Sequence, residues 1–290
     1  MSPLPPFKEP KRPPSRRSHL ERLVSAYARD NDIPQARVRH RISSLALIGA
    51  LQRVQETKTG PRFLIKGGVA MELRLGIEAR ATNDFDVVFR GPIRALLESL
   101  DEAFAEPYEG FEFRRSGEPE YIGETSTQRQ VIKISFHGRG WQTLTVEAAR
   151  PEGTGGGDPE VVLAAISVGQ FGIASPRRIA VMSVRYQIAQ KLHAVTEQPS
   201  DRENARYWDL IDLLLLRDLI ADLPSIREAC LEVFDNRETH SWPPELRVPS
   251  AWQQPYEIEA EKLKFTPIDV HDAAAEVRAF IVDINSSATP

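Results

Sequence analysis

The chain has 290 residues, 41% of them hydrophobic and 27% charged, enough to bury a large core and fill two modest domains, which excludes a small stapled scaffold. Its one cysteine, Cys230, excludes an intramolecular disulfide. No apolar run reaches the roughly eighteen residues of a membrane span, and the charged, proline-rich start is unlike a secretion signal, so a cytoplasmic location is expected.

The formal charge of −4 averages two opposite regions. Residues 1–60 hold 12 Lys+Arg against 5 Asp+Glu, a net of +7, while residues 61–290 hold 25 against 36, a net of −11. Such asymmetry points to a polyanion-facing part and a part that concentrates carboxylates. Residues 1–17, with six prolines and five basic side chains, read as part of a flexible basic arm over residues 1–18. From His19 the spacing of Leu20, Leu23, Val24 and Tyr27 predicts a helix, and Pro34 starts a second. The second carries Arg37, Arg39, His40 and Arg41, a run that most simply forms a solvated cationic face.

Phe63-Leu64-Ile65 then Lys66-Gly67-Gly68 predicts a strand and glycine turn, followed by a helix that stops at Gly76. In Asp84–Phe89 the apolar Phe85, Val87 and Phe89 alternate with Asp84, Asp86 and Val88, a strand with one apolar face. A helix is expected near Ile93–Phe104, a polar insertion over Glu106–Gln128, and then two strands joined through His137-Gly138-Arg139-Gly140. The run Gly153–Gly157 lacks the Gly-Lys-Ser/Thr ending of a phosphate loop and reads as a hinge near a domain boundary between about 153 and 183. Beyond it, Ser183 is expected to cap a helix through VRYQIAQKLHAV, followed by a long helix through ARYWDLIDLLLLRDLI. Further helices are expected near Ser225–Phe234, Tyr256–Lys264 and Ile268–Ile284. Trp242 and Trp252, among prolines, read as packing under a loop.

Asp84 and Asp86, two apart on a strand, leave one face with Cα atoms roughly 7 Å apart, so their oxygens can converge on a hard cation. Gly67-Gly68 opens a helix whose N–H groups and positive end suit an anion, with Lys66 beside it. Phosphate and Mg²⁺ would then lie side by side. The alternation of Thr143, Thr145 and Glu147 with Leu144, Val146 and Ala148 puts a third carboxylate on the polar face of a strand, where the alternative is a solvated glutamate. Thr82 either supports the turn or is a phosphorylation target, since added negative charge there would repel a triphosphate. The histidines and lone cysteine have no zinc spacing, and no nucleophile elbow is present.

This order of motifs, KGGVAMELRLGIEARATNDFDVVF, then RYQIAQKLHAV, then ENARYWDLIDLLLL, resembles the AbiEii-type nucleotidyltransferase toxins, among them the mycobacterial MenT-like tRNA nucleotidyltransferase toxins. In that family Lys-Gly-Gly, a short helix, a glycine and Thr-x-Asp-x-Asp precede a helix bearing one lysine and an Arg-Asp-x-x-Asp-Leu helix. The sequence departs at Trp208, where a charged residue usually precedes the aspartate. The resemblance implies an α/β (α+β) fold, with a nucleotidyltransferase-like mixed β-sheet domain over residues 19–160. A mainly helical C-terminal domain follows over residues 161–290, with the NTP lying between the two. It also implies Lys191 facing the phosphates and Asp209 bordering the active site, with Asp212 in the nucleotide site beside Lys66, Gly67 and Gly68. Nucleotidyl transfer commonly takes two divalent cations and three carboxylates. Asp84 and Asp86 are therefore expected to bridge two Mg²⁺ ions and Glu147 to hold the one that activates the hydroxyl.

The function expected is a Mg-dependent toxin of a toxin–antitoxin or phage-defence system. It would transfer NMP from an NTP to the 3′ acceptor end of tRNA and so inhibit translation. The basic first sixty residues would grip the RNA, an antitoxin is a possible partner, and the protein would be a monomer with no membrane association. The alternatives are a small-molecule, antibiotic-type nucleotidyltransferase, or a non-catalytic RNA- or partner-binding module on the same fold. Lys191→Ala and Asp209→Ala are expected to reduce activity without unfolding the protein.

Overall fold

The computed structural model describes residues 13–56, 60–76, 79–80, 82, 84–122, 127–154, 157–165, 167–176 and 178–287. Most of the proposed arm, residues 1–12, and Gly155 and Gly156 of the glycine run lie outside the described residues. The chain divides into two compact units: residues 1–77, 81–150 and 161–181 form the first, and residues 78–80, 151–160 and 182–290 the second.

In the first unit, helix α1 (Arg17–Asp30) buries Leu20, Val24 and Ala28, one stripe at four-residue spacing. Helix α2 (Gln35–Leu51) buries every residue from Val38 to Leu51 except Arg39. A helix buried all round from Val38 onward is a core helix, its polar side chains included, and that overturns the solvated cationic face. Arg37 and Arg41 both donate to Glu72 Oε1, at 3.3 and 3.4 Å. Arg39 pairs with Glu21, donates to the Trp141 carbonyl and lies over the indole, 4.5 Å from its centroid. These arginines anchor helices and are not displayed to a polyanion.

After a two-residue ribbon, β1 (Gln55–Glu56) and β2 (Gly60–Pro61), the chain enters a seven-stranded mixed sheet. Its members are β3 (Phe63–Ile65), β4 (Asp84–Phe89), β5 (Phe111–Ile122), β6 (Thr127–Phe136), β7 (Arg139–Ala149), β8 (Pro159–Val162) and β9 (Ile179–Met182), in the order β5-β6-β7-β4-β3-β9-β8. Strand β3 is buried throughout and runs antiparallel to β4 and parallel to β9, while β4 runs parallel to β7. Helix α3 (Gly67–Leu75) joins β3 to β4, and α4 (Leu96–Phe104) precedes β5. Hairpin β6–β7 turns on His137-Gly138 alone, with φ of 46° and 71°, the left-handed pair of a tight hairpin.

The polar insertion expected over Glu106–Gln128 is mostly β5. Its Gly117 and Pro119 conceal it, yet both are tolerated because β5 is an edge strand whose register shifts between Ser116 and Glu120.

The second unit contains α5 (Val184–Thr196), α6 (Trp208–Arg217), α7 (Leu223–Arg237), α8 (Gln253–Leu263) and α9 (Val270–Ser286). Three details differ from expectation. Ser183 makes no side-chain cap; the Val184 N–H is accepted by Glu160 Oε2 at 3.0 Å. Helix α6 begins only at Trp208, because Asn204 is turned back to donate to the carbonyls of Ala194 and Glu197 at the end of α5. The start of the glycine run is held rather than free, Thr154 donating through N and Oγ1 to Glu232 of α7, at 2.8 and 2.6 Å.

A directed hydrogen-bond chain fastens α5 to the segment after α7. Thr196 Oγ1 donates to the Leu192 carbonyl, so His240 Nε2 donates to Thr196. Thr239 then donates to His240 Nδ1 and accepts from His193 Nε2, and Arg237 donates to His193 Nδ1. Both rings are therefore neutral with the proton on Nε2. Burial, with Arg237 and His240 adjacent, pushes the His193 pKa down to about 3, and burial also lowers that of His240.

Among the described residues no helix is long and apolar enough to cross a membrane.

Candidate active site

Strand β4 is fixed by its buried side, Phe85, Val87 and Phe89, which enters the core of the first unit. The alternate residues therefore face away. Asp84 stands opposite Thr145 of β7 and Asp86 opposite Glu147. Registered neighbours leave the same face of a sheet, so the structure brings all three carboxylates onto one polar surface. Asp84 is exposed there, and Asp86 and Glu147 are half-buried.

The glycine turn lies on the other side of β4. The Lys66 N–H donates to the Asp86 carbonyl at 2.9 Å, tying the turn to the strand. Gly67 has φ of +62°, and a Cβ on it would lie 2.0 Å from Asp86 Oδ2. A Cβ on Gly68 would lie 2.6 Å from Thr82 Cβ. Each glycine thus makes room for one residue of the acidic motif, and the carboxylate of Asp86 rests against the turn. Thr82 Oγ1 accepts from the Asp84 N–H at 3.3 Å, the supporting contact that one of its two readings required. Helix α3 starts here with no side-chain cap, and its positive end lies beside Lys66, where it favours an anion.

Glu147 has a partner that sequence reasoning missed. Arg129, its registered neighbour on β6, donates to Glu147 Oε1 through Nε and a terminal nitrogen, at 2.9 and 2.6 Å. Only the register of β6 against β7 would have revealed it. Among the described residues no three acidic, histidine or cysteine side chains are grouped to hold a metal ion. The three carboxylates share a face, but Glu147 is drawn towards β6.

The remaining predicted residues belong to the second unit, where they form one buried network. Lys191 Nζ donates to Asp209 Oδ1 at 2.7 Å and to Asp212 Oδ2 at 2.6 Å. Arg80, also missed in the sequence, adds a bond from Nε to Asp212 Oδ2 at 3.2 Å. Asp212 is fully buried, and its Oδ1 has no partner among the described residues. Burial works against the charged forms, yet the two carboxylates hold the Lys191 pKa above its ordinary value, and Lys191 with Arg80 holds that of Asp212 below. Trp208, at the departure from the family pattern, has the guanidinium groups of Arg80 and Arg206 at 5.6 and 5.9 Å from its ring. The indole thus shares the arginines that neutralise the aspartates.

This burial corrects the expectation that Lys191→Ala and Asp209→Ala would act on activity alone. Removing either partner would strand opposite charge in the interior, a large stability cost.

The family model for the nucleotidyl transferase AbiEii toxin of type IV toxin–antitoxin systems matches residues 49–287. Among solved structures, MenT4, a nucleotidyltransferase toxin from Mycobacterium tuberculosis H37Rv, is 19% identical. The match covers 92% of this chain and 90% of MenT4 with a TM-score of 0.61, a likeness of fold. The antibiotic-resistance factor ANT(2″)-Ia is 16% identical over 68% of this chain and 91% of its own, with a TM-score of 0.37. No curated protein matches the sequence.

Proposed function

This chain belongs to the AbiEii nucleotidyltransferase toxin family, and from that premise we propose that it transfers NMP from an NTP to the 3′ end of tRNA and thereby blocks translation. The observation that carries this reading is the contact between Asp86 and the Gly67 turn, which sets the start of α3 directly against a residue of the acidic motif. The type IV toxin–antitoxin setting of the family supports a cognate antitoxin as a partner.

The donor set at Asp84 and Asp86 fits a hard divalent cation, since two carboxylates on one strand face offer oxygen ligands at a single place. Mg²⁺ held there would neutralise triphosphate charge and acidify the attacking hydroxyl. Glu147 has the donor type and the register to join them, and does so only by leaving Arg129.

The protein's own groups divide the remaining work. The positive end of α3, with Lys66, receives the triphosphate. Gly67 allows Asp86 to approach without a side chain intervening. In the second unit Lys191 has spent two of its three N–H donors on Asp209 and Asp212. In this reading the third is left for an anionic oxygen of the substrate, and the two aspartates position that ammonium.

The test is to incubate the protein with each α-labelled NTP, Mg²⁺ and total RNA. Label should enter the tRNA band and be lost in Asp84→Asn. Label on no RNA with any NTP overturns the acceptor, and full transfer by Asp84→Asn overturns the site.

A further inference from the structure

The sheet order puts the glycine turn and the hairpin β6–β7 on opposite sides of β4. The triphosphate side is thus the β3–α3 side, and the polar face of β7, β6 and β5 extends the other way from the carboxylates. On that face Asp84 is registered with Thr145, Thr145 with Val131, and Val131 with Ser116. Two residues along the strands, the next row is Thr143, Lys133 and Arg114.

Lys133 and Arg114 are both exposed and directly opposite one another. Like charges in that position destabilise a strand pair. Neither side chain makes an ion pair or hydrogen bond among the described residues. Among the described residues no nearby glutamate pairs with either cation. Glu112 accepts from Ser135 Oγ at 2.7 Å and from the Gly138 N–H at 3.2 Å, and Glu120 lies 3.5 Å from Arg129. Two adjacent cations without an acid between them favour an anion supplied from outside. With strands about 4.8 Å apart and a rise of about 3.3 Å per residue, the Cα atoms of Lys133 and Arg114 lie roughly 12 and 16 Å from that of Asp84. The phosphates just upstream of a terminal sugar at the carboxylates would fall at such distances.

We propose that this face is the track for the acceptor: a single-stranded RNA 3′ end runs over β5, β6 and β7 towards Asp84 and Asp86, with Arg114 and Lys133 binding its backbone phosphates. The inference rests on the nucleotidyl-transfer reading and specifies how that site takes a polynucleotide. It also moves the basic contact away from α2, whose arginines are committed to Glu72, Glu21 and Trp141.

The experiment measures binding of a fluorescent single-stranded oligoribonucleotide with a free 3′-hydroxyl across a salt series, using the full chain and Arg114→Ala/Lys133→Ala. Two lost phosphate contacts should weaken binding about tenfold at moderate salt and make the log–log salt slope shallower by about 1.4. The KM for RNA should rise in step, with kcat and binding of a fluorescent NTP analogue unchanged. Lys262→Ala/Lys264→Ala, which removes the same charge from exposed positions of the second unit, should retain the original slope. If wild type extends RNA and the Arg114/Lys133 variant matches it in affinity and slope, or the control loses as much, the track is wrong while the transfer reading stands. A wild type that neither binds nor extends RNA overturns both.

Discussion

Lys191 carries a charge in a place where charge survives only in company. Its two carboxylates and Arg80 form a set of two cations and two anions that is neutral as a whole. Lys191→Ala should therefore cost about 3 kcal/mol or more, because two aspartates are left in the interior with one arginine. The shift in urea midpoint measures this. Adding Asp209→Asn to that variant leaves Asp212 paired with Arg80, so part of the loss should return. Gly67 poses a sharper steric question. Gly67→Ala forces a side chain at φ +62° and a Cβ within 2.0 Å of Asp86 Oδ2. The backbone strain is about 1–2 kcal/mol, too little to unfold the protein, while the displaced carboxylate should abolish transfer. Retained transfer with normal stability would show that Asp86 needs no contact with the turn.

At the scale of elements, α3 is held from both ends: Gly67 fits under Asp86, and Glu72 accepts from Arg37 and Arg41 of α2. Glu72→Ala should destabilise the first unit by about 3 kcal/mol, since Arg41 is only 7% exposed and would lose its partner; equilibrium denaturation monitored by tryptophan fluorescence reports it. The elements with strong local signals were legible in the sequence. The alternation of Phe85, Val87 and Phe89 marked β4, and the two glycines marked the turn before α3. What escaped depends on pairing across the chain. The edge strand β5 is stabilised by β6 despite its own poor propensity, and Arg129 meets Glu147 only through strand register. The arginines of α2 looked like a surface because charge is read one residue at a time, whereas their partners Glu21 and Glu72 come from other helices.

For the molecule as a whole, the chain passes between units more than once, so one cut cannot separate them. A fragment ending at residue 160 lacks β9, the parallel neighbour of β3, and the complementary fragment lacks Arg80, the partner of Asp212. Acid should also act on the second unit. The folded His193 refuses a proton down to about pH 3, whereas an unfolded histidine takes one near 6.5. Protons then favour the unfolded chain as pH falls below 6.5, and stability should drop by at most about 1.4 kcal/mol per unit until about pH 3. Thermal unfolding of wild type and His193→Gln across that range should show the shallower slope in the variant. The solitary Cys230 gives this unit its own stopwatch. It is wholly buried on α7, and burial raises its thiol pKa, so the folded form should be inert to alkylating reagents. Each modification event therefore timestamps an opening of the helical packing, without any label being introduced.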